Sequence, residues 1–294
     1  MEVFGIPIQA MMGQLLIGLI NGSFYALLSL GLAVIFGLLN IINFTHGAQY
    51  MLGAFGAYLL LNHLGISYWW SLLLVPILIG ALGVVIERTM LAKLYKLDHL
   101  YGLLLTFGMA LMIQGFFRHQ YGSTGLPYAI PEQLMGGINL GFMFLPKYRG
   151  WVIVASLIIC LITWFVIERT KLGGYLRAAT ENPQMVQAFG INVPRMITLT
   201  YGFGVGLAAL AGVMAAPIYQ VSPQMGADLI IVVFAVVVIG GMGSIMGAIV
   251  TGFGLGLIEG LTKVFYPEAS STVIFIIMTI VLLTRPAGLF GTQK

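Results

Sequence analysis

Long apolar runs follow one another along almost the whole of this sequence. A run of about 20 apolar residues is long enough to form a helix across the hydrocarbon core of a bilayer. Only 7% of the 294 residues are charged, whereas about 25% are charged in soluble domains, and most of the charges stand at the ends of the runs. The sequence therefore predicts a single all-α, polytopic membrane domain over residues 1–294.

Roughly nine hydrophobic segments can be distinguished, and two of them are short for a complete crossing. No Lys or Arg precedes the first segment, so we interpret it as a mature span rather than as a cleaved signal peptide. The segments are 11–35, 48–61, 71–86, 100–117, 151–167, 197–218, 229–239, 245–265 and 272–283. We expect a transmembrane bundle of about eight or nine helical segments, some of them broken.

The positive charges gather on one side if successive segments alternate across the membrane. Arg88, Lys93, Lys96, Arg169, Lys171, Arg177, Arg195, Arg285 and Lys294 then share one side, and Arg118, Lys147, Arg149 and Lys263 lie on or near the other. Cytoplasmic loops carry the excess of Lys and Arg, so the first side is predicted to be cytoplasmic. The N-terminus is then outside, the C-terminus inside, and the Gly- and Pro-rich loop at about 119–150 external.

The polar stretch at 168–195 lies between two apolar segments and has helical character. Leu176, Ala179, Met185, Ala188 and Phe189 recur at three- and four-residue spacing, which is typical of an amphipathic helix. We expect Gly173 and Gly174 before this helix and Gly190 after it, with a break or a second start at Asn182-Pro183. Spacing alone allows two interpretations: docking to a soluble partner, or an interfacial helix on the headgroups.

Two polar breaks interrupt the apolar pattern. The first holds Asn40, Asn43, Thr45, His46 and Gln49, and the second is the GGMGS sequence with Gly240, Gly241 and Gly243. Irregular backbone at membrane depth is buried in protein or lines a wet cavity, so Asn43, His46, Gln49 and the three glycines are candidate pathway residues. The alternatives are a short interfacial loop for the first break and a tight cytoplasmic turn for the second.

Other patterns bear on packing rather than on chemistry. Residues 85–91 and 166–172 match at six of seven positions, and both copies are expected to leave the membrane on the same side. Gln114 is expected to bond a neighbouring helix, and Gly202-x-x-x-Gly206, with a similar run from Gly252, allows close helix packing. Glu259 and Lys263 have the i, i+4 spacing of an ordinary helix pair.

The sequence lacks the motifs of the common catalytic sites. It has one Cys, no GxxxxGK[ST] phosphate loop, no HExxH and no glycine-flanked Ser elbow. An embedded enzyme would also need acid and base groups that converge inside the membrane. We therefore expect no enzyme, no catalytic residue, no metal and no cofactor in this chain.

Several motifs in order make the chain resemble the shorter integral membrane permease of bacterial branched-chain amino acid ABC transporters. They are NFTHG at 43–47 with YMLGA at 50–54, Gly174-x-x-Arg177-Ala178 with Asn182, Ala188 and Gly190-Ile191, GGMGS at 240–244, and RPAGLFG at 285–291. The chain departs from the family at Gln49, where members often carry an acidic residue, and at Met246, where they often carry proline.

The resemblance implies that the helix after Gly174 is a coupling helix for an ATPase subunit. Its implied coupling residues are Gly174, Arg177, Ala178, Asn182, Ala188, Gly190 and Ile191. It further implies a homologous second permease, two ATPase subunits that bind the ATP, a periplasmic solute-binding protein, and a place in the bacterial inner membrane.

The implied cargo is a branched-chain, hydrophobic amino acid, and relatives of this architecture also move urea, short amides or aromatic acids. A stand-alone secondary transporter or channel is an alternative that explains the broken helices but not a docking helix. A membrane-embedded enzyme is a further alternative.

Overall fold

The structure, a computed structural model, describes residues 2–3, 6–39, 42–95, 97–141 and 143–291. Asn40, Lys96 and Lys294, which were considered above, lie outside these residues. The helices are α1 Ile8–Leu39, α2 Thr45–Leu64, α3 Tyr68–Thr89, α4 His99–Tyr121, α5 Lys147–Arg169, α6 Lys171–Glu181, α7 Pro183–Ala188, α8 Val193–Ala215, α9 Met225–Gly240, α10 Ile245–Phe265 and α11 Val273–Thr284. The protein is thus an all-α bundle, as predicted.

Each predicted hydrophobic segment corresponds to one helix in the described part of the chain. Six helices are long and apolar enough to cross a membrane, and α9 and α11 are shorter apolar helices. The segment at 48–61 becomes the 20-residue α2, because the helix also takes in the polar residues from Thr45 onward. The apolar pattern therefore found the helices but not their full lengths.

Short strands occur only outside the long helices in the described residues. Strands β1 Glu2–Val3 and β2 Ile6–Pro7 pair antiparallel before α1. Strands β3 Gly137–Asn139 and β4 Phe144–Pro146 form an antiparallel hairpin between α4 and α5, with Ile138 opposite Leu145. The predicted external loop is thus partly ordered by its own backbone pairing.

Glycines let the central helices approach each other at backbone distance. Along α10, a Cβ added at Gly256 would lie 2.4 Å from the carbonyl oxygen of Gly18 in α1, and one at Gly252 would lie 2.5 Å from Ala26. Between α3 and α8, a Cβ at Gly80 would lie 2.9 Å from the carbonyl oxygen of Gly202. The prediction of glycine-mediated packing is confirmed for α8 and α10.

Helix directions agree with the alternation that the sequence predicts. The hydroxyl of Tyr148 donates to that of Tyr68 at 2.9 Å, so α3 and α5 begin at the same end of the bundle. Their matching ends at 85–91 and 166–172 therefore leave at the other end together. At the first end, Leu126 and Val221 exchange two backbone hydrogen bonds of 2.9 Å, which tie the α4–α5 loop to the α8–α9 connection.

Candidate functional site

The connection between α5 and α8 consists of two short helices, α6 and α7. The predicted break is confirmed, since α7 begins at Pro183 and the side chain of Asn182 accepts a hydrogen bond from the backbone N–H of Met185 at 3.0 Å. Gly190 follows α7 with φ 82°, a left-handed conformation that favours glycine at a helix end. The connection then turns into α8.

The predicted start of the connection is wrong. Helix α6 begins at Lys171, so Gly173 and Gly174 lie inside it rather than before it. A Cβ at Gly173 would lie 1.5 Å from the carbonyl oxygen of Ile167, which shows that α6 folds directly back onto the end of α5. Glycine is required here for close approach, not for ending a helix.

The predicted apolar face is correct in α6 and wrong in α7. Leu176 and Ala179 are buried, as expected, but Met185 and Phe189 are exposed, and Val186 is the buried residue of α7. The break at Asn182-Pro183 resets the helical phase, so the three- and four-residue spacing does not continue through it. Val186 packs with Ala179 and with Val193 at the start of α8.

An apolar surface therefore faces outward along the connection. We call this set the coupling surface: Leu172, Tyr175, Ala178, Met185, Ala188 and Phe189. All six are exposed, and Phe189 is 78% exposed. Exposed apolar side chains gathered on one short connection are typical of contact sites for proteins or membranes. The coupling surface lies at the end of the bundle that carries most of the Lys and Arg.

The other predicted coupling residues in the connection differ in their exposure. Gly174, Arg177, Asn182 and Gly190 are exposed, whereas Ile191 is partly buried against the cluster beneath α7. Arg177 reaches back to α5, where its Nη1 lies 3.1 Å from the carbonyl oxygen of Ile167 and 3.1 Å from the carboxylate of Glu168. Arg177 thus links α6 to the end of α5.

The first polar break is buried within the bundle. Asn43, Thr45 and His46 are 0% exposed and Gln49 is 1% exposed. Asn43 and Gln49 donate to the hydroxyl of Tyr201 in α8 at 3.2 and 3.4 Å. His46 Nε2 lies 3.0 Å from the carbonyl oxygen of Leu28 in α1. These side chains bind the start of α2 to its neighbours, and their place in a pathway stays a prediction.

The second break is a tight turn between α9 and α10. Gly241 has φ 102° and Gly243 has φ 83°. A Cβ at Gly243 would lie 3.1 Å from the Cα of Gly37 in α1, and one at Gly240 would lie 2.7 Å from the backbone of Gly247. The tight turn considered for this sequence thus occurs, with close backbone packing around it. The place of these glycines in a pathway stays a prediction.

A polar network that sequence reasoning missed lies near the opposite end. Glu259 is buried and accepts hydrogen bonds from Tyr25 at 2.7 Å, from Lys263 at 2.5 Å and from Asn21 at 3.5 Å. The sequence predicted only the pair with Lys263, because the crossing of α1 and α10 that brings Asn21 and Tyr25 to the carboxylate has no signal in residue spacing. Gln114, in contrast, bonds Gln224 as predicted.

A cavity of about 340 Å³ adjoins this network. It lies among α1, α2, α9 and the α8–α9 connection, and Asn21, Tyr25, Tyr219 and Asp228 are part of its wall. Partial burial, followed by the charge of Glu259, raises the pKa of Tyr219 to about 12. The hydroxyl of Tyr219 therefore stays protonated at neutral pH and donates to Asn21 Oδ1 at 2.9 Å.

No group of three or more His, Cys, Asp or Glu within the described residues could hold a metal ion. What the chain does have is a glycine-packed membrane bundle, a polar cavity at one end and an exposed apolar connection at the other. These features define a multi-pass membrane transport protein.

The chain belongs to the family described as branched-chain amino acid transport system / permease component, whose profile matches residues 14–282. It is 30% identical to the high-affinity branched-chain amino acid transport system permease protein LivH of Escherichia coli K12, over 96% of each chain. It is 32% identical to the corresponding permease protein BraD of Pseudomonas aeruginosa, again over 96% of each chain. No solved structure matches the chain.

A second permease of Escherichia coli K12 is also similar. The chain is 26% identical to the permease protein LivM, over 92% of this chain and 68% of LivM. Two permeases of one organism that carry the same transport-system name thus both match this chain. With the family assignment and the long apolar helices, the relatives place the chain in the cell membrane as a multi-pass permease.

Proposed function

We propose that this chain is a transmembrane permease subunit of an ABC importer that moves branched-chain, hydrophobic amino acids into the cell. The relatives LivH and BraD are named for branched-chain amino acid transport, which supports this cargo over urea, short amides or aromatic acids. The structural observation that carries the proposal is the coupling surface, because a channel or a secondary transporter has no need of a docking face for a motor.

The proposed partners follow from the family. The likeness to both LivH and LivM supports a pair of homologous permeases in one complex. Two ATPase subunits would bind the ATP, so this chain itself would hold no cofactor and perform no catalysis. A periplasmic solute-binding protein would deliver the amino acid to the outer end of the bundle.

The proposed mechanism begins at the coupling surface. Closure of the ATPase pair on ATP would press on Tyr175, Met185 and Phe189, which are exposed on α6 and α7 or directly after them. The displacement would pass through Arg177 to α5. Leu176 of α6 also lines a groove with Val34 of α1 and Ile245 of α10, so the same motion would reach the central helices.

The central helices would then rock about the two breaks. Asn43 joins α2 to α8, and the turn at Gly241 joins α9 to α10. We propose that these segments change their contacts as the cavity opens alternately to the two sides. Gly240, Gly241 and Gly243 would keep the backbones around the α9–α10 turn closely packed at the inner end of the bundle during that movement.

A matched pair of tyrosines tests the docking step. Tyr175 is 46% exposed on α6 and Tyr266 is 60% exposed at the far end of α10. In proteoliposomes that hold the complete complex, Tyr175→Glu should abolish ATP-driven leucine uptake and release the ATPase subunits during purification. Tyr266→Glu should leave the ATPase bound.

The outcomes of that experiment separate the candidate functions. Leucine uptake that persists without any ATPase subunit would favour a secondary transporter. ATP-driven uptake of urea or of an aromatic acid in preference to leucine, isoleucine and valine would replace the proposed cargo. Retention of the ATPase by Tyr175→Glu at the wild-type level would remove the docking role of the coupling surface.

A further inference from the structure

The cavity beside the Glu259 network has the size and the wall of a site for a small amphipathic solute. Its volume of about 340 Å³ lies at the small end of the roughly 300–1,000 Å³ that small-molecule sites occupy. Phe24 of α1 with Met225 and Leu229 of α9 supply apolar wall, and Asn21 and Asp228 supply polar groups. Such a mixed wall suits a molecule with one charged end and one aliphatic end.

An unpaired hydroxyl in the wall points to a ligand. Tyr50 of α2 lines the cavity and is 1% exposed, and its hydroxyl has no hydrogen-bond partner among the described residues. Buried hydroxyls are nearly always hydrogen-bonded, because burial without a partner is costly. A polar group of a bound solute would supply the missing partner.

The polar groups on the facing wall are held in place from behind. Asn21 is fixed between Tyr219 at 2.9 Å and Glu259 at 3.5 Å, and Tyr25 is fixed by Glu259 at 2.7 Å. Side chains that are already ordered lose little conformational entropy when a solute binds. The buried carboxylate of Glu259 thus orders the wall without lining it.

Asp228 provides a negative charge at the rim. It lies in the first turn of α9 and is exposed, and no ion pair or side-chain hydrogen bond engages it in the described part of the chain. A carboxylate near a helix N-terminus also stabilises the helix, so its position there has a structural explanation as well. Its place on the cavity wall adds a second role, since a free carboxylate is the natural partner of an ammonium group.

We propose that this cavity binds the transported amino acid before translocation, with Asp228 as the partner of its α-ammonium group. Tyr50 and Asn21 hydrogen-bond the polar end, and the wall around Phe24 and Leu229 receives the aliphatic side chain. The assignment rests on the proposed function, because it takes an apolar amino acid as the cargo. It goes beyond that function by naming the site and the group that recognises the ammonium.

The single cysteine of the chain makes a direct test practical. Cys160 is 0% exposed, so a cysteine introduced at the surface reacts against a low background. Ser222 lines the cavity, and Ser271 is exposed between α10 and α11 at the same end of the bundle. The complete complex, without binding protein, is reconstituted with Ser222→Cys or Ser271→Cys, and a membrane-impermeant thiol reagent is added outside.

Leucine should slow the modification of Ser222→Cys and leave that of Ser271→Cys unchanged. The rate should fall about threefold when leucine reaches twice its Kd, since occupancy follows mass action. Leucinol, which keeps the ammonium group, should protect as leucine does, and 4-methylpentanoate, which lacks it, should not. Asp228→Asn should remove the protection by leucine.

Three results would contradict the proposal that this cavity binds the amino acid. They are absence of protection by saturating leucine, equal protection at Ser271→Cys, and protection by leucine that survives Asp228→Asn. ATP-driven leucine uptake by the wild-type complex is measured in parallel, with the loaded binding protein added. Normal uptake with no protection refutes the cavity and leaves the proposed function standing, whereas absence of uptake by the complete complex refutes the proposed function itself.

Discussion

Nη1 of Arg177 lies 3.1 Å from the carbonyl oxygen of Ile167 and 3.1 Å from the carboxylate of Glu168. The last carbonyls of a helix have no partner within that helix, so Arg177 satisfies one of them at the end of α5. A single side chain therefore joins the exposed connection to a long membrane helix. In the proposed mechanism, this contact carries the displacement of α6 to α5.

Replacing Arg177 should uncouple ATP hydrolysis from amino acid transport in the complex. We expect Arg177→Gln to lower the stimulation of ATPase activity by the loaded binding protein about fivefold or more, as loss of a typical coupling free energy would. Basal ATPase activity should remain. The thermal stability should change little, because exposed ion pairs contribute only about 0–1 kcal/mol.

The matched control for Arg177 is Glu168→Gln. It removes the ion pair but keeps the bond from Arg177 to Ile167, so its loss of stimulation should be smaller. Both variants are measured in proteoliposomes with and without the loaded binding protein. Equal stimulation in Arg177→Gln and wild type would contradict the transmission role.

Close packing of α1 on α10 gives a prediction about stability. A Cβ at Gly256 would lie 2.4 Å from the carbonyl oxygen of Gly18, whereas one at Gly254 would meet nothing within 4 Å. Overpacking typically costs about 1–3 kcal/mol, so Gly256→Ala should lower the melting temperature of the purified complex. Gly254→Ala, two residues away on the same helix, should leave it unchanged or raise it. Equal melting temperatures would mean that α1 and α10 do not touch in this way.

The sequence predicts the helices well because the bilayer restricts what each segment can be. Each of the nine apolar segments corresponds to one helix of the described chain, and the break at Asn182-Pro183 is placed correctly, since proline and asparagine act locally. Gln114 finds the interhelical partner expected of a polar side chain inside a span. These features depend on composition and on neighbouring residues, both of which can be read directly.

Tertiary contacts limit what the sequence predicts of the candidate sites. Gly173 was expected before a helix, but α6 folds back onto Ile167 and includes it. Glu259 was expected to pair within its own helix, but α1 crosses it and adds Tyr25. Residues 21, 50, 219 and 228 come together in the cavity from distant parts of the chain, and no spacing rule connects them.

Two glutamates of the repeated sequence have opposite surroundings. Glu87 is 2% exposed and accepts hydrogen bonds from Tyr95 at 2.5 Å and from Thr198 at 2.7 Å. Glu168, at the equivalent position, is exposed. Glu87→Ala leaves the Tyr95 hydroxyl without its acceptor, while Thr198 Oγ1 keeps the carbonyl oxygen of Pro194 at 3.0 Å. The variant should therefore lose about 1–3 kcal/mol of stability. Glu168→Ala should cost little.

Thermal unfolding of the two alanine variants in detergent tests this difference. A melting temperature that falls equally in Glu87→Ala and Glu168→Ala would show that the repeat serves the same structural role at both sites. The loss of stability in the double variant Glu87→Ala/Thr198→Val should be smaller than the sum of the two single losses. Both changes break the same hydrogen bond.

The burial of Asn43 separates a structural role from a role in solute contact. Its amide donates to the hydroxyl of Tyr201 at 3.2 Å, and the residue is 0% exposed. We expect Asn43→Ala to lower stability by about 1–3 kcal/mol, since buried polar groups lose their partner, with the KM for leucine unchanged. Asp228→Asn should instead raise that KM with little effect on stability. A raised KM in Asn43→Ala would support the pathway role that the sequence predicts.

The residues after α11 pack against the turn between α9 and α10. The backbone N–H groups of Leu289 and Phe290 donate to the carbonyl oxygens of Ile239 and Gly240 at 2.8 and 3.1 Å. They therefore satisfy the C-terminal carbonyls of α9 that its own helix leaves free. A Cβ at Gly288 would lie 2.5 Å from Gly241, so the tail is seated directly against the turn.

Gly288 and Gly136 allow that contact to be measured separately from backbone strain. Both have φ 83°, so alanine at either position carries a similar conformational cost, about 1–2 kcal/mol. A Cβ at Gly136 meets nothing within 4 Å, whereas at Gly288 it meets the turn. Gly288→Ala should therefore lower the melting temperature further than Gly136→Ala does. Equal decreases would show that the tail is not packed against the α9–α10 turn at Gly288.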